Sequence, residues 1–206
     1  KSKEAALAAY LERMSRVQIK NLSGDEELAY MINVYNAATL KLILEHPGVR
    51  SIRDIPEARR WKDKRWIISG ALVSLDALEH DLIRAQHKQP LVHFALVCAS
   101  IGCPRLRSEP YVGNRVRHQL EDQARGFFAL DSNLQWIPAE RRRRVTEIMD
   151  WFRGDFTSKG GSVIKFIAPY VDPKLAAILT ENESSIKLEY IPYDWKLNGT
   201  WDSDVK

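Results

Sequence analysis

The chain holds only two cysteines, Cys98 and Cys103, too few for the disulfide framework that staples small secreted domains. No apolar run approaches the length of a membrane span, so no membrane-spanning segment is expected. No internal repeat, low-complexity tract or interdomain linker stands out. Neither sign of charge dominates. The 31 Lys and Arg face 27 Asp and Glu, a net of +4, and the signs are mixed along the chain. That balance calls for neither a nucleic-acid partner nor a membrane surface. The 206 residues read most simply as a single domain over 1–206, large enough to bury its own core. The chain starts at Lys1, with no Met and no apolar leader. It is therefore expected to be a processed or trimmed protein, and a removed leader stays open.

What is present centres on 91–106. Leu91 to Val97 are almost wholly apolar and β-rich, which predicts a strand buried on both faces. Ala99 to Gly102 are small and turn-prone, so the chain should leave the sheet there. Cys98 then stands at a strand end. Cys103 stands before Pro104, a residue suited to the first turn of a helix.

Around this segment the pattern is mostly helical. Ser2 to Arg16 carries the stripe Leu7, Tyr10, Leu11 and Met14. Ser23 and Glu26 have capping-box spacing and open a helix that runs to about His46, stopped by Pro47-Gly48. That helix is apolar nearly all round, hence buried, yet it carries Asn33 and Asn36 on one face. Buried amides must be hydrogen-bonded, either to pin a neighbouring loop or to line a polar site. Trp66 to Ser69 and Leu72 to Ser74 suggest a hairpin about Gly70. The basic stretch from Ser51 to Trp66 reads as a solvated loop anchored by Trp61 and Trp66.

Ser74 caps the next helix, with the stripe Leu75, Leu78, Leu82 and Ala85. Glu79 falls inside that stripe and needs a donor partner, with His80 on its flank. Its alternatives are a structural pairing and an active-site acid. Asn114 to Phe128 is an amphipathic helix with Val116, Leu120, Ala124 and Phe127 inward. Arg141 to Arg144 reads as a solvated helix start, continued as helix by Val145 to Phe152. Ser162 to Tyr170 and Lys174 to Thr180 are short helices, the second capped by Asp172-Pro173. Ile186 to Ile191 alternates as a half-buried strand.

Cysteine chemistry needs a lowered thiol pKa, from an imidazole, a cation or a helix N-terminus. On a regular strand His93 and Cys98 face opposite sides, roughly 16 Å apart at about 3.3 Å per residue, so His93 reads as a core histidine. His80 is the histidine able to reach a cysteine. Cys103 has Arg105 and Arg107 beside it and a possible helix start. A Cys–His–acid arrangement would use Cys98 or Cys103, with His80 as base. Glu79, Asn33 or Asn36 would be orienter, with the asparagines better placed for that task than Glu79. Ser100 and Arg105 join Asn33 and Asn36 as candidate binding residues. The same cysteines also fit a short-loop disulfide, a zinc site with His80 at a spacing that matches no common knuckle, or plain buried packing.

Four segments together resemble a known family. They are Ala-Tyr-Met-Ile-Asn-Val-Tyr-Asn-Ala-Ala-Thr-Leu at 29–40, Ser-Leu-Asp-Ala-Leu-Glu-His at 74–80, His-Phe-Ala-Leu-Val-Cys-Ala-Ser-Ile-Gly-Cys-Pro at 93–104, and Tyr-Asp-Trp-Lys-Leu-Asn at 193–198. The chain resembles the domain of unknown function 547 family over about residues 25–198. Met31 stands where the family usually has Trp. The resemblance implies an exported bacterial protein, periplasmic or secreted. Fusion of some relatives to glutaredoxin-like domains implies a thiol or peptide substrate. Some plant relatives have Ser where this chain has its cysteines.

The expectation is an α+β fold: one mainly helical domain around a small sheet, with Leu91–Cys98 as a central strand. The expected activity is a thiol-dependent hydrolase or acyl transferase on amide or peptide bonds, without cofactor or metal. A non-catalytic binding domain and a thiol–disulfide redox protein are the alternatives. A small peptide or thiol-containing molecule is the expected partner.

Overall fold

The helix Gly24–Leu44 is the spine of the molecule. Its start is fixed as the sequence predicts. Ser23 Oγ accepts from the Glu26 amide, and the Glu26 carboxylate accepts from the Ser23 amide. Residues on every side of it are buried, among them Leu28, Met31, Ile32, Tyr35, Ala38 and Leu42, because other elements pack all around it. These are the helix Ser2–Ser15, the 75–87 helix, and the turn Gly113–Arg115 that leads into helix Val116–Phe128. The computed structural model describes residues 2–158, 161–181 and 187–201. The fold is α+β, mainly helical with two small sheets.

The first sheet is a hairpin, Trp66–Ile68 against Ala71–Val73, with Trp66 opposite Val73. Ser69 and Gly70 both take positive φ (50° and 86°), which suits the tight turn of a twisted two-residue hairpin. Trp66 and Ile68 point inward and Ile67 outward.

The second sheet has three strands in the order Leu134–Ile137, Arg142–Thr146, Lys187–Ile191, antiparallel then parallel. Its central strand overturns the expected helix start at Arg141 to Arg144. Arg143 is buried and donates to the Glu181 carbonyl. Arg142 pairs with Glu140 and Glu189, and Arg144 donates to Gln135. These three guanidiniums find acceptors across the sheet or in the adjoining segments, so three consecutive arginines are no barrier to a strand that starts at Arg142. Helix begins only at Ile148, with Ile148 and Met149 buried as expected. Ile186, the expected start of the last strand, lies outside the described residues.

The central strand expected over Leu91–Cys98 is absent. Pro90–Phe94 is a 3-10 helix, opened by Pro90 at its first turn and by the Gln89 side chain, which accepts from the Leu91 amide. Leu91 to Val97 are all buried. Burial all round does not distinguish a buried helical turn from a buried strand, which is why the apolar run misled.

The 75–87 helix also departs from its expected face. Ser74 caps it through the Ala77 amide, but from Leu78 to His87 the helix is π-type. The wider turn buries Leu78 and Ile83, five residues apart. Leu82 is half-buried and Ala85 exposed, where an α-helical repeat would put both inward.

Candidate functional site

The buried cysteine segment lacks sheet neighbours, so side-chain amides take their place. Asn36 donates Nδ2–H to the Ala95 carbonyl at 2.9 Å and accepts from the Val97 amide at 2.9 Å. Gln123 donates to the Phe94 and Arg105 carbonyls. Asn33 does the same service for another loop, donating to the Tyr111 carbonyl and accepting from its amide. Both asparagines therefore pin loops, and neither lines the cysteine cleft. Arg105 is exposed and also stands outside it.

After Cys98 the chain turns sharply. Ala99 sits in the left-handed region at φ 60°, a costly place for a residue with a Cβ. The Cys103 amide closes a turn onto the Ser100 carbonyl at 3.0 Å. No helix follows Pro104, so the expected helix N-terminus at Cys103 does not exist. The C-terminal segment clamps the turn from outside. Gly102 donates to the Asp194 carbonyl, Ile101 to Lys196, and Asn198 to Ala99, all within 2.9 Å. Gly102 faces the Tyr193 ring so closely that a Cβ there would meet ring carbons at 2.9 Å. The Tyr193 amide is held by the Glu147 carboxylate at 2.8 Å.

The turn folds the two sulfurs together. Cys98 Sγ and Cys103 Sγ are 2.6 Å apart, both thiols free, and Cys103 Sγ also accepts from the Cys98 amide at 2.7 Å. The Tyr193 hydroxyl is 2.8 Å from Cys98 Sγ, and Ser100 Oγ 3.6 Å. These contacts split the two thiols. The Cys103 thiol beside it, with Tyr193 and Ser100, drives Cys98 below the ordinary thiol range in spite of its burial. Burial and the neighbouring Cys98 push Cys103 well above that range. Burial and the two cysteines likewise hold the Tyr193 proton on its oxygen, so the phenol donates to the Cys98 thiolate.

Cys98 and Cys103 open on a cavity of about 200 Å³. Its lining is rich in aromatic rings: Trp151, Tyr193 and Trp195 pack on one another with ring centres 4.6–5.7 Å apart, and Trp61 and Phe152 also line it. Polar side chains line it as well: Tyr35, Asp76, Glu79, His80 and His93. Glu79 has the donor its burial demanded, the Tyr35 hydroxyl at 2.9 Å. Burial and the adjacent Glu79 raise Tyr35 well above its ordinary value, so it keeps its proton.

His80 reaches the cleft but is committed elsewhere. Arg84 has only donors, so its Nη1, 2.7 Å from His80 Nδ1, takes the ring's lone pair and leaves the proton on Nε2. His93 is buried as expected, stacked on Phe152 at 3.9 Å, with Nε2 2.8 Å from Asp155. It also lines the cleft, which its assignment as a core residue did not anticipate. Its hydrogen bond, with that of Arg84, holds the Asp155 carboxyl well below the usual range, and burial lowers His93. Among the described residues neither imidazole hydrogen-bonds a sulfur. Nor do three Cys, His, Asp or Glu side chains converge as a metal-binding group would. No described helix is long and apolar enough to cross a membrane.

The structure thus brings Cys98, Cys103, Glu79 and His80 to one cleft, and sets Ser100 against Cys98. Tyr193, Tyr35 and the tryptophans went unassigned in the sequence reading. The one available signal for Tyr193 was its place in the segment Tyr-Asp-Trp-Lys-Leu-Asn.

No curated protein and no solved structure matches the chain. A family model described as "Protein of unknown function, DUF547" matches residues 19–128. That region contains both cysteines, Glu79, His80 and the two asparagines, and leaves the clamping segment with Tyr193 outside it. The match spans more than half of the chain, which therefore belongs to the DUF547 family.

Proposed function

We propose that the cleft carries out thiol–disulfide exchange, with Cys98 as attacking thiolate and Cys103 as resolving thiol. The observation that supports it best is the sulfur pair itself, at 2.6 Å, with the Cys103 thiol, Tyr193 and Ser100 all placed to stabilise the Cys98 anion. A nucleophilic cysteine that must be activated for each turnover needs a base at its sulfur. Here the ionised form is stabilised in advance, by Tyr193, Ser100 and the partner thiol.

The chemistry closes without further groups. Cys98 S⁻ attacks one sulfur of a small disulfide RSSR, forming a Cys98–SR bond and expelling RS⁻. That thiolate takes the Cys103 proton and leaves as RSH. The Cys103 sulfur then attacks Cys98 Sγ, forming the Cys98–Cys103 bond and releasing the second R group as a thiolate. The sum is two protein thiols oxidised and one disulfide reduced to two thiols. In the test, fully reduced protein is mixed with 2-hydroxyethyl disulfide. The expected result is loss of the mass of two hydrogens and release of two mercaptoethanols per chain. Protein that keeps both thiols free overturns the reading.

A second reading, an amide hydrolase or acyl transferase built on Cys98, is favoured by one observation. Glu79, His80 and His93 line the same cleft as the cysteines. It requires His80 to release Arg84 before it can accept a proton. Burst release of an acyl leaving group by the wild type and not by C98S separates this reading from exchange. Export to a periplasmic or external space, where a disulfide substrate persists, is part of the proposal.

A further inference from the structure

We infer that the cleft selects a cationic substrate: a disulfide that carries an ammonium group near its reacting sulfur. This rests on the exchange reading for the disulfide and on the cleft walls for the charge. The chain is net basic, yet no lysine or arginine lines this cavity among the described residues. Two carboxylates do, Asp76 and Glu79. The same cavity is lined by Trp61, Trp151, Trp195 and Tyr193. Carboxylates and indole rings lining one cavity make a set that recognises organic ammonium ions.

Arg53 stacks over Trp195 at 5.3 Å, and Arg84 over Phe152 at 4.6 Å, so those rings each have one cation nearby already. Arg84 is neutralised by Asp155 at 2.8 Å. His80 accepts from Arg84, and its Nε2–H faces Asp76 at 3.7 Å. Glu147 adds a third carboxylate behind Tyr193. Among the described residues no guanidinium stacks on Trp61 or Trp151, and Trp151 is nearly half exposed, so these rings stay open to a ligand cation in the cavity that holds the sulfurs.

The test uses the C103S chain, in which Cys98 holds its adduct. Three small disulfides are compared: cystamine with two ammonium groups, neutral 2-hydroxyethyl disulfide, and dithiodiglycolate with two carboxylates. The rate of Cys98 adduct formation is read by intact mass. Each rate is divided by that of free cysteine thiolate at the same pH, which removes intrinsic reactivity and the thiolate's own charge. The expected result is cystamine favoured over dithiodiglycolate by about ten-fold. In a D76N/E79Q background the ratio of cystamine to dithiodiglycolate, each normalised to 2-hydroxyethyl disulfide in the same variant, should fall to near parity. Parity in the C103S parent, or a ratio that survives the double substitution, overturns the inference. If no disulfide reacts, exchange is wrong, and the charge preference is judged on the wild type by tryptophan fluorescence. A saturable change with 1,4-diaminobutane, absent with succinate and lost in D76N/E79Q, upholds it. No response to the diamine refutes it.

Discussion

The phenolic oxygen of Tyr193 lies 2.8 Å from Cys98 Sγ, across a separation of 95 residues. The contact exists because the C-terminal segment crosses the cysteine turn and bonds to its backbone at Ala99, Ile101 and Gly102. The surroundings of Cys98 are thus completed by a distant part of the chain.

The first prediction concerns ionisation. Alkylation of Cys98 by iodoacetamide should rise with pH through a midpoint of about 7, while Cys103 reacts far more slowly. The Cys103 thiol is the largest cause of the low value, so C103A should move the Cys98 midpoint up toward the ordinary thiol range. Y193F should slow labelling at pH 7 by about ten-fold, the worth of one hydrogen bond to a charged sulfur. A Cys98 rate unmoved by both substitutions would contradict the assigned causes.

The second concerns Gly102. Its replacement by alanine drives a Cβ to 2.9 Å from the Tyr193 ring, so the ring or the turn must shift. G102A should cost about 1–3 kcal/mol in urea denaturation, the usual range for overpacking. It should also raise the Cys98 midpoint, because the displaced phenol loses its sulfur. Stability loss with no change of midpoint would show that Tyr193 keeps its contact.

The third concerns Asn36. N36A leaves the Ala95 carbonyl and the Val97 amide buried without partners. The expected loss is about 2–4 kcal/mol from two orphaned backbone groups. A loss under about 0.5 kcal/mol would place those groups in contact with solvent.

These asparagines show how much of the site was legible. Sequence pattern places them on a buried helix face and demands hydrogen bonds, and that is what they make. Glu79 was readable by the same logic, as a carboxylate inside an apolar stripe, and its donor is Tyr35. The Ser23–Glu26 capping box and the hairpin about Gly70 follow local chemistry and were equally visible. Failure came wherever the answer lay in long-range packing. An apolar run at 91–97 is compatible with a buried strand or a buried 3-10 turn, and only Asn36 and Gln123 decide it. Arg142, Arg143 and Arg144 lie in a central strand because Glu189, Gln135 and the Glu181 carbonyl come to meet them. The π-turn moved the buried face from Leu82 to Ile83, and α-helical spacing carries no signal of that.

The fourth prediction is a pH effect on stability. Burial holds His93 below its ordinary value, so the unfolded chain takes up this proton before the folded chain does. Stability should therefore fall as pH drops below about 6.5, the value for an unfolded histidine. H93Q, which removes the titrating ring, should flatten that slope in urea midpoints between about pH 5 and 6.5. Asp155, held low by His93 and Arg84, has the opposite window. Its contribution is complete above about pH 4 and fades only as the pH falls from there toward its depressed folded value. An H93Q slope equal to that of wild type across the upper window would place the titration elsewhere.

The most direct measurement is the adduct that forms when reduced wild-type, C103S and C98S proteins each meet 2-hydroxyethyl disulfide near neutral pH. Wild type should end as an internal disulfide without adduct. C103S should hold one mercaptoethanol on Cys98, and C98S should remain unmodified on the same timescale. A C98S chain that reacts as fast as C103S, or a C103S chain that never acquires the adduct, would contradict the assignment of Cys98 as the attacking sulfur.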